Sequence, residues 1–231
     1  MANRPVFTIS DTPPYYVEKI IEFKYYSGFA EVQKRKSIES LHQAYLKDNP
    51  NQKILEISSK SQEELGVKLS AFNLMIENKN GKRFSVESAF QASKVFENGG
   101  PYRELLDMTS REAKKYPKLK SSGKLKYFNF GDRIFDLIPI TYFYNWLYIN
   151  TLRLYPDLTN KLMEFDAFTD IVFNPDKSIN CQARAAAVYV SLRKLNLLDK
   201  ALLDKNTFLE NVYGNTKNYK VDTLKQLSIW D

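Results

Sequence analysis

Hydrophobic positions recur at helical spacing in four long stretches of the chain. The spacing predicts helices over residues 30–48, 85–98 and 140–154, and a fourth from residue 180 or 181 to 195. The third stretch is apolar on almost every side, so we expect it to form the buried centre of the core. Its aromatic side chains are therefore interpreted as core residues rather than as a surface on which bases stack.

Apolar and polar residues alternate in three other stretches. This alternation predicts strands over residues 16–26, 53–59 and 67–77. Asn80 and Gly81 form a pair that favours a hairpin turn, so residues 82–84 are expected to return antiparallel to the third strand.

The remaining segments are interpreted as connections. Prolines and few periodic apolar residues favour an entry arm over residues 1–15, and residues 128–135 are expected to be an aromatic-rich connection. Together the pattern predicts an α+β fold, mainly α-helical, with a small antiparallel sheet from the N-terminal third. We expect a single domain over residues 1–231, with its core at about 16–195 and a C-terminal extension at 196–231.

The residue inventory argues against several kinds of site. Cys181 is the only cysteine and His42 the only histidine, so a Cys/His zinc site and a nucleophile paired with histidine are disfavoured. Acid–base chemistry is expected from carboxylates, lysines or tyrosines, with no metal and no cofactor. His42 is interpreted as a packed or surface histidine.

Hydropathy and net charge indicate where the protein acts and what kind of partner it binds. The chain has no apolar run near the ~20 residues of a membrane span and no apolar leader, and it carries one cysteine, so we expect a cytoplasmic protein with no membrane partner. The formal charge of +7 favours a polyanionic partner such as nucleic acid. Seven cations stand in one polar segment, where a solvated surface explains several of them: Arg111, Lys114, Lys115, Lys118, Lys120, Lys124 and Lys126.

The predicted helix at residues 85–98 carries the first group of candidate site residues. Four polar side chains stand in one row, at offsets of four, three and four residues: Glu87, Gln91, Lys94 and Asn98. Ser85 is placed to cap this helix. Glu87 lies in the first turn, where a carboxylate stabilises a helix through the positive end of the helix dipole. Glu87 can therefore be explained by capping as well as by catalysis.

A second polar group follows the long apolar helix. Asp166 and Asp170 stand among apolar residues, where a carboxylate must be hydrogen-bonded, paired with a charge or functional. Asn180, Gln182 and Arg184 crowd the start of the last long helix, where backbone N–H groups attract phosphate. Carboxylates and a lysine are the groups that a glycosidase requires, although the order of the residues does not show that they converge.

Several segments resemble the NADAR (YbiA-like) family. Leu69-Ser-Ala-Phe-Asn73 is similar to the family's Phe-Ser-Asn-Phe motif, and Ser85-Val-Glu-Ser-Ala-Phe-Gln-Ala-Ser-Lys-Val-Phe96 to its Ser/Thr-x-Glu-x-x-Phe-Gln-Ala-x-Lys-Phe motif. Phe165 to Arg193 resembles the family's acidic stretch and polar helix start, except that Thr169-Asp170 replaces a Trp-Gly pair. The chain most resembles the NADAR antitoxins paired with DarT-type ADP-ribosyltransferase toxins, in four segments: 55–61, 66–74, 165–170 and 174–184.

The resemblance implies an N-glycosidic hydrolase that removes ADP-ribose from guanine bases in DNA and acts as an antitoxin. ADP-ribosylated DNA would be its substrate, ADP-ribose its product, and the cognate toxin a candidate partner. The expected catalytic residues are Glu87, which matches the family's central acid, and Asp170, Lys94 and Lys24. The expected substrate-binding residues are Ser70, Phe72, Asn73, Gln91, Asp166, Asn180 and Arg184.

Two mechanisms and one other class of function stay open. Glu87 can act as base or nucleophile at the anomeric carbon, with Asp170 or a lysine as its partner. Alternatively, Lys94 or Lys24 can trap the ring-opened sugar as a Schiff base, which requires a lowered lysine pKa. The alternative class is a non-catalytic antitoxin, or a module that binds ADP-ribose or DNA and neutralises a toxin by binding.

Overall fold

The computed structural model describes residues 1–28, 30–175 and 178–214. The described chain divides into two compact units. Unit 1 runs over residues 1–70 and 152–214, and unit 2 over residues 71–151. Helices and strands occur in both units, which confirms the predicted α+β class. The single domain and its boundaries stay predictions, and residues 215–231 of the expected extension lie outside the described residues.

The elements are numbered in chain order. The strands are β1 (Ala2–Ile9), β2 (Tyr16–Phe23), β3 (Ile54–Glu56), β4 (Met75–Glu77), β5 (Arg83–Ser85), β6 (Lys94–Phe96), β7 (Leu125–Phe130), β8 (Arg133–Phe135) and β9 (Ala167–Thr169). The helices are α1 (Glu31–Leu46), α2 (Glu64–Lys68), α3 (Val86–Ala92), α4 (Ser110–Lys114), α5 (Lys118–Ser121), α6 (Tyr142–Leu152), α7 (Pro156–Leu162), α8 (Gln182–Lys194), α9 (Leu198–Ala201) and α10 (Lys205–Tyr213), with a 3-10 helix at Arg103–Asp107.

Unit 1 is built on a four-stranded sheet in the order β2-β1-β9-β3. β1 pairs antiparallel with β2 and with β9, and β9 pairs parallel with β3. The predicted helices at 30–48 and from residue 180 or 181 to 195 are confirmed as α1 and α8. The buried side chains of α1 pack against sheet residues Val6, Phe23 and Ala167, which forms one apolar core of the unit.

The N-terminal segment contradicts its prediction. Residues 1–15 are not an entry arm, because β1 is an inner strand of the sheet. Pro5 disfavoured an inner strand, because proline has no backbone N–H to donate to a neighbouring strand. Pro5 pairs with Ile20 of β2, whereas the pairing with β9 involves Phe7 and Thr8, so the proline lies where β1 has a neighbour on one side.

Unit 2 contains a hairpin and a three-stranded sheet. β4 and β5 pair antiparallel around Gly81, as the Asn-Gly pair predicted. The predicted strand at 67–77 is wrong in its first part, which forms the end of α2 and a turn before β4. The predicted connection at 128–135 is also wrong, because β7 and β8 form a second hairpin beside β6.

The aromatic residues of this second hairpin belong to the core of unit 2. The ring centroids of Phe128 and Phe135 each lie 4.8 Å from that of Phe143 on α6. The predicted apolar helix at 140–154 is thereby confirmed as α6, and its aromatic side chains are buried as expected. Within the described ranges, no helix is long and apolar enough to cross a membrane.

Candidate active site

The predicted polar row lies on α3 and the strand that follows it. Ser85 caps α3 as predicted, since its hydroxyl accepts a hydrogen bond of 3.0 Å from the backbone N–H of Ser88. α3 ends at Ala92, however, and Lys94 begins β6, where it pairs with Phe128 of β7. The prediction of a helix to residue 98 is wrong because pairing with a distant strand overrides the local helical pattern. Asn98 is exposed and does not belong to the row.

Glu87 is a buried carboxylate with two polar neighbours. It is 6% exposed, and its Oε1 accepts a hydrogen bond of 2.9 Å from Nε2 of Gln91, one helical turn later. Nζ of Lys114 lies 3.9 Å from the same oxygen. Gln91 therefore holds the carboxylate in one orientation, and Lys114 supplies a partly solvated positive charge beside it.

The side-chain oxygen of Gln91 is an unused hydrogen-bond acceptor among the described residues. Its Oε1 is buried and has no hydrogen-bond partner among the residues that the structure describes. A buried amide oxygen normally accepts a hydrogen bond, because leaving it unpaired costs about 1–3 kcal/mol. The oxygen is thus suited to accept a hydrogen bond from a bound molecule.

Lys94 is a buried amine with a perturbed pKa. The side chain is 5% exposed, and Nζ lies 5.0 Å from the centroid of the Phe90 ring. The pKa of Lys94 is lowered from 10.5 to about 8, chiefly because burial removes the solvation of the ammonium group; Glu87 opposes the shift and Lys114 adds to it. About a tenth of Lys94 is therefore neutral at pH 7 and about half at pH 8, and the neutral form is the nucleophile.

The loop before β4 supplies an aromatic side chain to the same unit. Nζ of Lys114 lies 5.4 Å from the centroid of the Phe72 ring, so Lys114 contacts both this ring and Glu87. The hydroxyl of Ser110 on α4 donates a hydrogen bond of 2.9 Å to the backbone oxygen of Phe72, which ties the loop to α4. Asn73 follows Phe72 and is exposed.

Unit 2 thus brings together four of the predicted site residues: Phe72, Glu87, Gln91 and Lys94. It adds Lys114, which the sequence placed only in the basic segment. Thr109 and Glu112 form a capping box at the start of α4. Nothing in the local pattern indicated that α4 packs on α3, which is the contact that brings Lys114 to Glu87.

The predicted site residues of unit 1 have their own contacts. Asp170 accepts hydrogen bonds from the backbone N–H groups of Val172 (3.0 Å) and Phe173 (3.2 Å) and from Nε2 of Gln182 (3.0 Å). Gln182 also donates to the backbone oxygen of Ile57 at 2.6 Å. Asp170 therefore closes the turn after β9 and connects it to the start of α8.

Arg184 is buried in unit 1 among protein partners. It donates to the backbone oxygen of Ile179 at 2.8 Å and to Glu18 at 3.2 Å, and its guanidinium carbon lies 5.0 Å from the ring centroid of Phe7 and 5.5 Å from that of Tyr16. Burial disfavours the charged form, but Tyr16, Cys181 and Glu18 favour it, and the pKa of Arg184 is raised. The guanidinium group thus connects α8 to β1 and β2.

The other predicted residues of unit 1 are spread over several elements. Asp166 accepts from the backbone N–H of Lys53 at 3.1 Å and pairs with Lys194 at 3.4 Å. Ser70 is buried, and its hydroxyl donates to the backbone oxygen of Val67 at 2.8 Å.

Two further residues complete the predicted set. Lys24, just after β2, is exposed, and its Nζ lies 5.0 Å from the centroid of the Tyr26 ring. Oδ1 of Asn180 is buried and has no partner within the described ranges. In the described part of the chain, no group of three or more His, Cys, Asp or Glu side chains is placed to hold a metal ion.

An α+β chain with a buried glutamate and glutamine on one short helix, and a buried lysine at the start of the next strand, has the arrangement expected of a NADAR protein. The chain matches the model of the DarT1-associated NADAR antitoxins over residues 2–222, and it belongs to that family. No curated protein matches the chain. The family expected from the sequence is therefore confirmed.

Proposed function

We propose that this protein hydrolyses the N-glycosidic bond between ADP-ribose and guanine in DNA, and that it acts in this way as the antitoxin of a DarT-type toxin. Membership of the DarT1-associated NADAR antitoxin family supports the biological role. The observation that carries the enzymatic part is the buried group formed by Glu87, Gln91 and Lys94. The carboxylate of Glu87 and the amine of Lys94, whose pKa is lowered, are both shielded from water. Such groups can take part in the cleavage of a glycosidic bond.

Glu87 is proposed to stabilise the positive charge that develops at the anomeric carbon as guanine leaves. Its orientation is held by the hydrogen bond from Gln91, so little reorganisation is required during the reaction. The spare Oε1 of Gln91 would accept a hydrogen bond from a sugar hydroxyl or from an amino group of the base.

Lys94 is the better of the two candidate lysines for the Schiff-base route. Its pKa of about 8 leaves part of the amine neutral near neutral pH, whereas Lys24 is exposed to solvent. In this route, neutral Nζ adds to C1 of the ring-opened guanine imine. The bond from C1 to the guanine nitrogen then breaks as the two hydrogens of Nζ pass to that nitrogen, and water hydrolyses the lysine imine to release ADP-ribose and the free amine.

Borohydride trapping distinguishes the two routes. Reduction during turnover would leave a stable sugar adduct on Lys94 if an imine forms. Turnover without any adduct would instead favour direct displacement assisted by Glu87. The roles predicted for Asp170, Asp166, Asn180, Arg184, Ser70, Asn73 and Lys24 stay predictions, and this proposal does not depend on them.

The test of the activity uses an oligonucleotide that carries ADP-ribosylated guanine. Wild-type protein should release ADP-ribose, and Glu87→Gln should be slower by about 100-fold or more. Glu77→Gln is the matched control, because Glu77 is an exposed glutamate of the same unit and should not affect release. Wild-type protein that leaves the DNA modified while it still binds the toxin would overturn the enzymatic proposal and support the non-catalytic alternative.

A further inference from the structure

A groove of about 640 Å³ lies on the surface of unit 2, outside the group formed by Glu87, Gln91 and Lys94. The end of the 3-10 helix, α4 and the turn after α4 form its walls. Its lining residues are Asp107, Met108, Arg111, Glu112, Lys115, Tyr116 and Pro117. This groove, which we call the α4 groove, combines cations, a phenol ring and apolar side chains.

One acid of the α4 groove has a cation as its partner and the other is hydrogen-bonded, whereas the two cations of the groove have no ion pair among the described residues. Asp107 pairs with Lys82 at 2.6 Å. Glu112 accepts hydrogen bonds from the backbone N–H and the hydroxyl of Thr109, and these bonds lower its pKa. Arg111 and Lys115 are exposed and make no ion pair with any residue that the structure describes. With Asp107 neutralised by Lys82, the lining keeps two cations, Arg111 and Lys115, and one ionised carboxylate, Glu112, so positive charge prevails in the groove.

Tyr116 gives the groove an aromatic surface of fixed orientation. Its hydroxyl donates a hydrogen bond of 2.8 Å to Glu104, and its ring packs edge-on against Tyr102 at a centroid distance of 5.5 Å. Tyr116 lines the groove, and Nζ of Lys118 lies 5.9 Å from the centroid of its ring. An aromatic ring held in a groove beside cations is the kind of surface on which a nucleic-acid base stacks.

The α4 groove is close to the candidate active site along a single helix. Lys114 on α4 lies 3.9 Å from Glu87, and Arg111 and Lys115 stand three residues before it and one after it. Three residues of helix rise about 4.5 Å along the axis, so the cations of the groove lie on the same short segment as the lysine that pairs with Glu87.

We propose that the α4 groove binds single-stranded DNA next to the modified guanine, with Arg111 and Lys115 on its phosphates and Tyr116 against a base. This inference rests on the proposed function for the identity of the substrate. Positive charge that follows a phosphate backbone, together with an aromatic ring, is the usual combination for sequence-independent binding of single strands. A free strand also gives access to a bulky adduct without the cost of opening a duplex.

The first test measures binding without any reaction. The anisotropy of a labelled, unmodified single-stranded oligonucleotide of about 12 nucleotides is followed at several salt concentrations. The double variant Arg111→Gln/Lys115→Gln should bind about tenfold more weakly, and the slope of log K against log salt should fall by about 1.4, or about 0.7 for each phosphate that is no longer neutralised. Tyr116→Leu should weaken binding about fivefold with little change in the slope.

A control of equal charge makes the result specific. Lys47→Gln/Lys200→Gln removes two exposed lysines of unit 1 and should leave both the affinity and the slope unchanged. Thermal unfolding of every variant verifies that each one is folded. If the α4-groove variant and the control bind DNA equally well, the proposal is wrong.

The second test measures turnover. The ratio of kcat/KM on an ADP-ribosylated oligonucleotide to that on ADP-ribosyl-deoxyguanosine should fall about tenfold in the Arg111/Lys115 variant and stay constant in the lysine control. Absence of release from both substrates would overturn the proposed function, whereas the anisotropy result would still decide whether the groove binds DNA. Loss of toxin binding with unchanged DNA binding would assign the groove to the toxin and overturn this inference.

Discussion

The hydroxyl of Thr169 donates a hydrogen bond of 2.6 Å to Oε2 of the buried Glu56 in unit 1. Nε2 of His42 lies 2.8 Å from the same hydroxyl. Because Thr169 has only one hydroxyl hydrogen, which it gives to Glu56, His42 must donate through Nε2–H. Burial lowers the pKa of His42 to about 4 and raises the pKa of Glu56. The lone histidine is therefore a neutral, packed donor, as its sequence context indicated.

This network predicts a specific loss of stability in acid. The pKa of His42 is lowered from 6.5 to about 4 on folding, so its contribution is fully present above pH 6.5 and is lost as the pH falls through about 4. The loss between pH 7 and pH 4.5 should be about 2.5 kcal/mol. Glu56 has the opposite effect on stability. Its pKa is raised on folding, so its contribution to stability is present at low pH and is lost as the pH rises through the pKa of the folded state.

Urea unfolding at the two pH values isolates the histidine. His42→Gln keeps an N–H donor but does not titrate, so its acid loss should be smaller than that of the wild type by about 2.5 kcal/mol. The comparison is made within each protein, so a general cost of the substitution cancels. An equal acid loss in both proteins would show that His42 is not held neutral by the fold.

The pKa of Lys94 predicts the pH dependence of catalysis by the imine route. If the neutral amine is the nucleophile, kcat/KM should rise about tenfold per pH unit below the pKa and level off above about pH 8. Lys94→Arg keeps a positive charge but cannot form the imine, so it should abolish turnover. A rate that falls as the pH rises through 8 would mean that the ammonium form is the required one.

Lys114 provides a separate check on the same group. The charge of Lys114 lowers the pKa of Lys94, so Lys114→Gln should move the break in the pH–rate profile to higher pH. Lys79→Gln removes an exposed charge from the same unit and is expected to leave the break where it is. If both variants move the break equally, net charge rather than a local interaction sets the pKa of Lys94.

Gly100 is predicted to fix the backbone of Lys94. Its φ is +87°, and a Cβ at this position would overlap the backbone oxygen of Lys94. Gly100→Ala should therefore lower the free energy of unfolding by about 2–4 kcal/mol and reduce turnover, because β6 must shift. Chemical denaturation and the release assay measure the two effects.

Gly131→Ala is the matched control for this substitution. Gly131 has a φ of +61°, and no atom lies within 4 Å of the Cβ it would gain. Only the cost of the left-handed backbone, about 1 kcal/mol, should remain. Equal effects of the two substitutions would exclude a role for the contact between Gly100 and Lys94.

The sequence predicted the parts of the fold that depend on local pattern. The periodic helices α1, α6 and α8, the cap at Ser85 and the hairpin at Gly81 follow from nearby residues. The inner position of β1 and the strand β6 depend on partners about 160 and 30 residues further along the chain. Local periodicity contains no information about such partners.

In the candidate site, too, some contacts follow from the local sequence pattern and others depend on distant parts of the chain. The contact between Glu87 and Gln91 follows from their spacing of one helical turn, so the pattern could predict it. Lys94 lies near enough to Glu87 for the carboxylate to act on its pKa, although Lys94 belongs to a strand and not to the helix. Lys114 could not be predicted, because its place beside Glu87 results from the packing of α4 on α3.

The pairing of β1 with β9 has a consequence for synthesis of the chain. Phe7 pairs with Phe168, so the sheet of unit 1 cannot close until β9, about 160 residues after β1, has left the ribosome. At about 5–20 residues per second, β1 waits roughly 8–30 seconds for this partner. Unit 2 is continuous over residues 71–151, so its strands and helices can all be present earlier. β1 can therefore pair with β2 well before it pairs with β9.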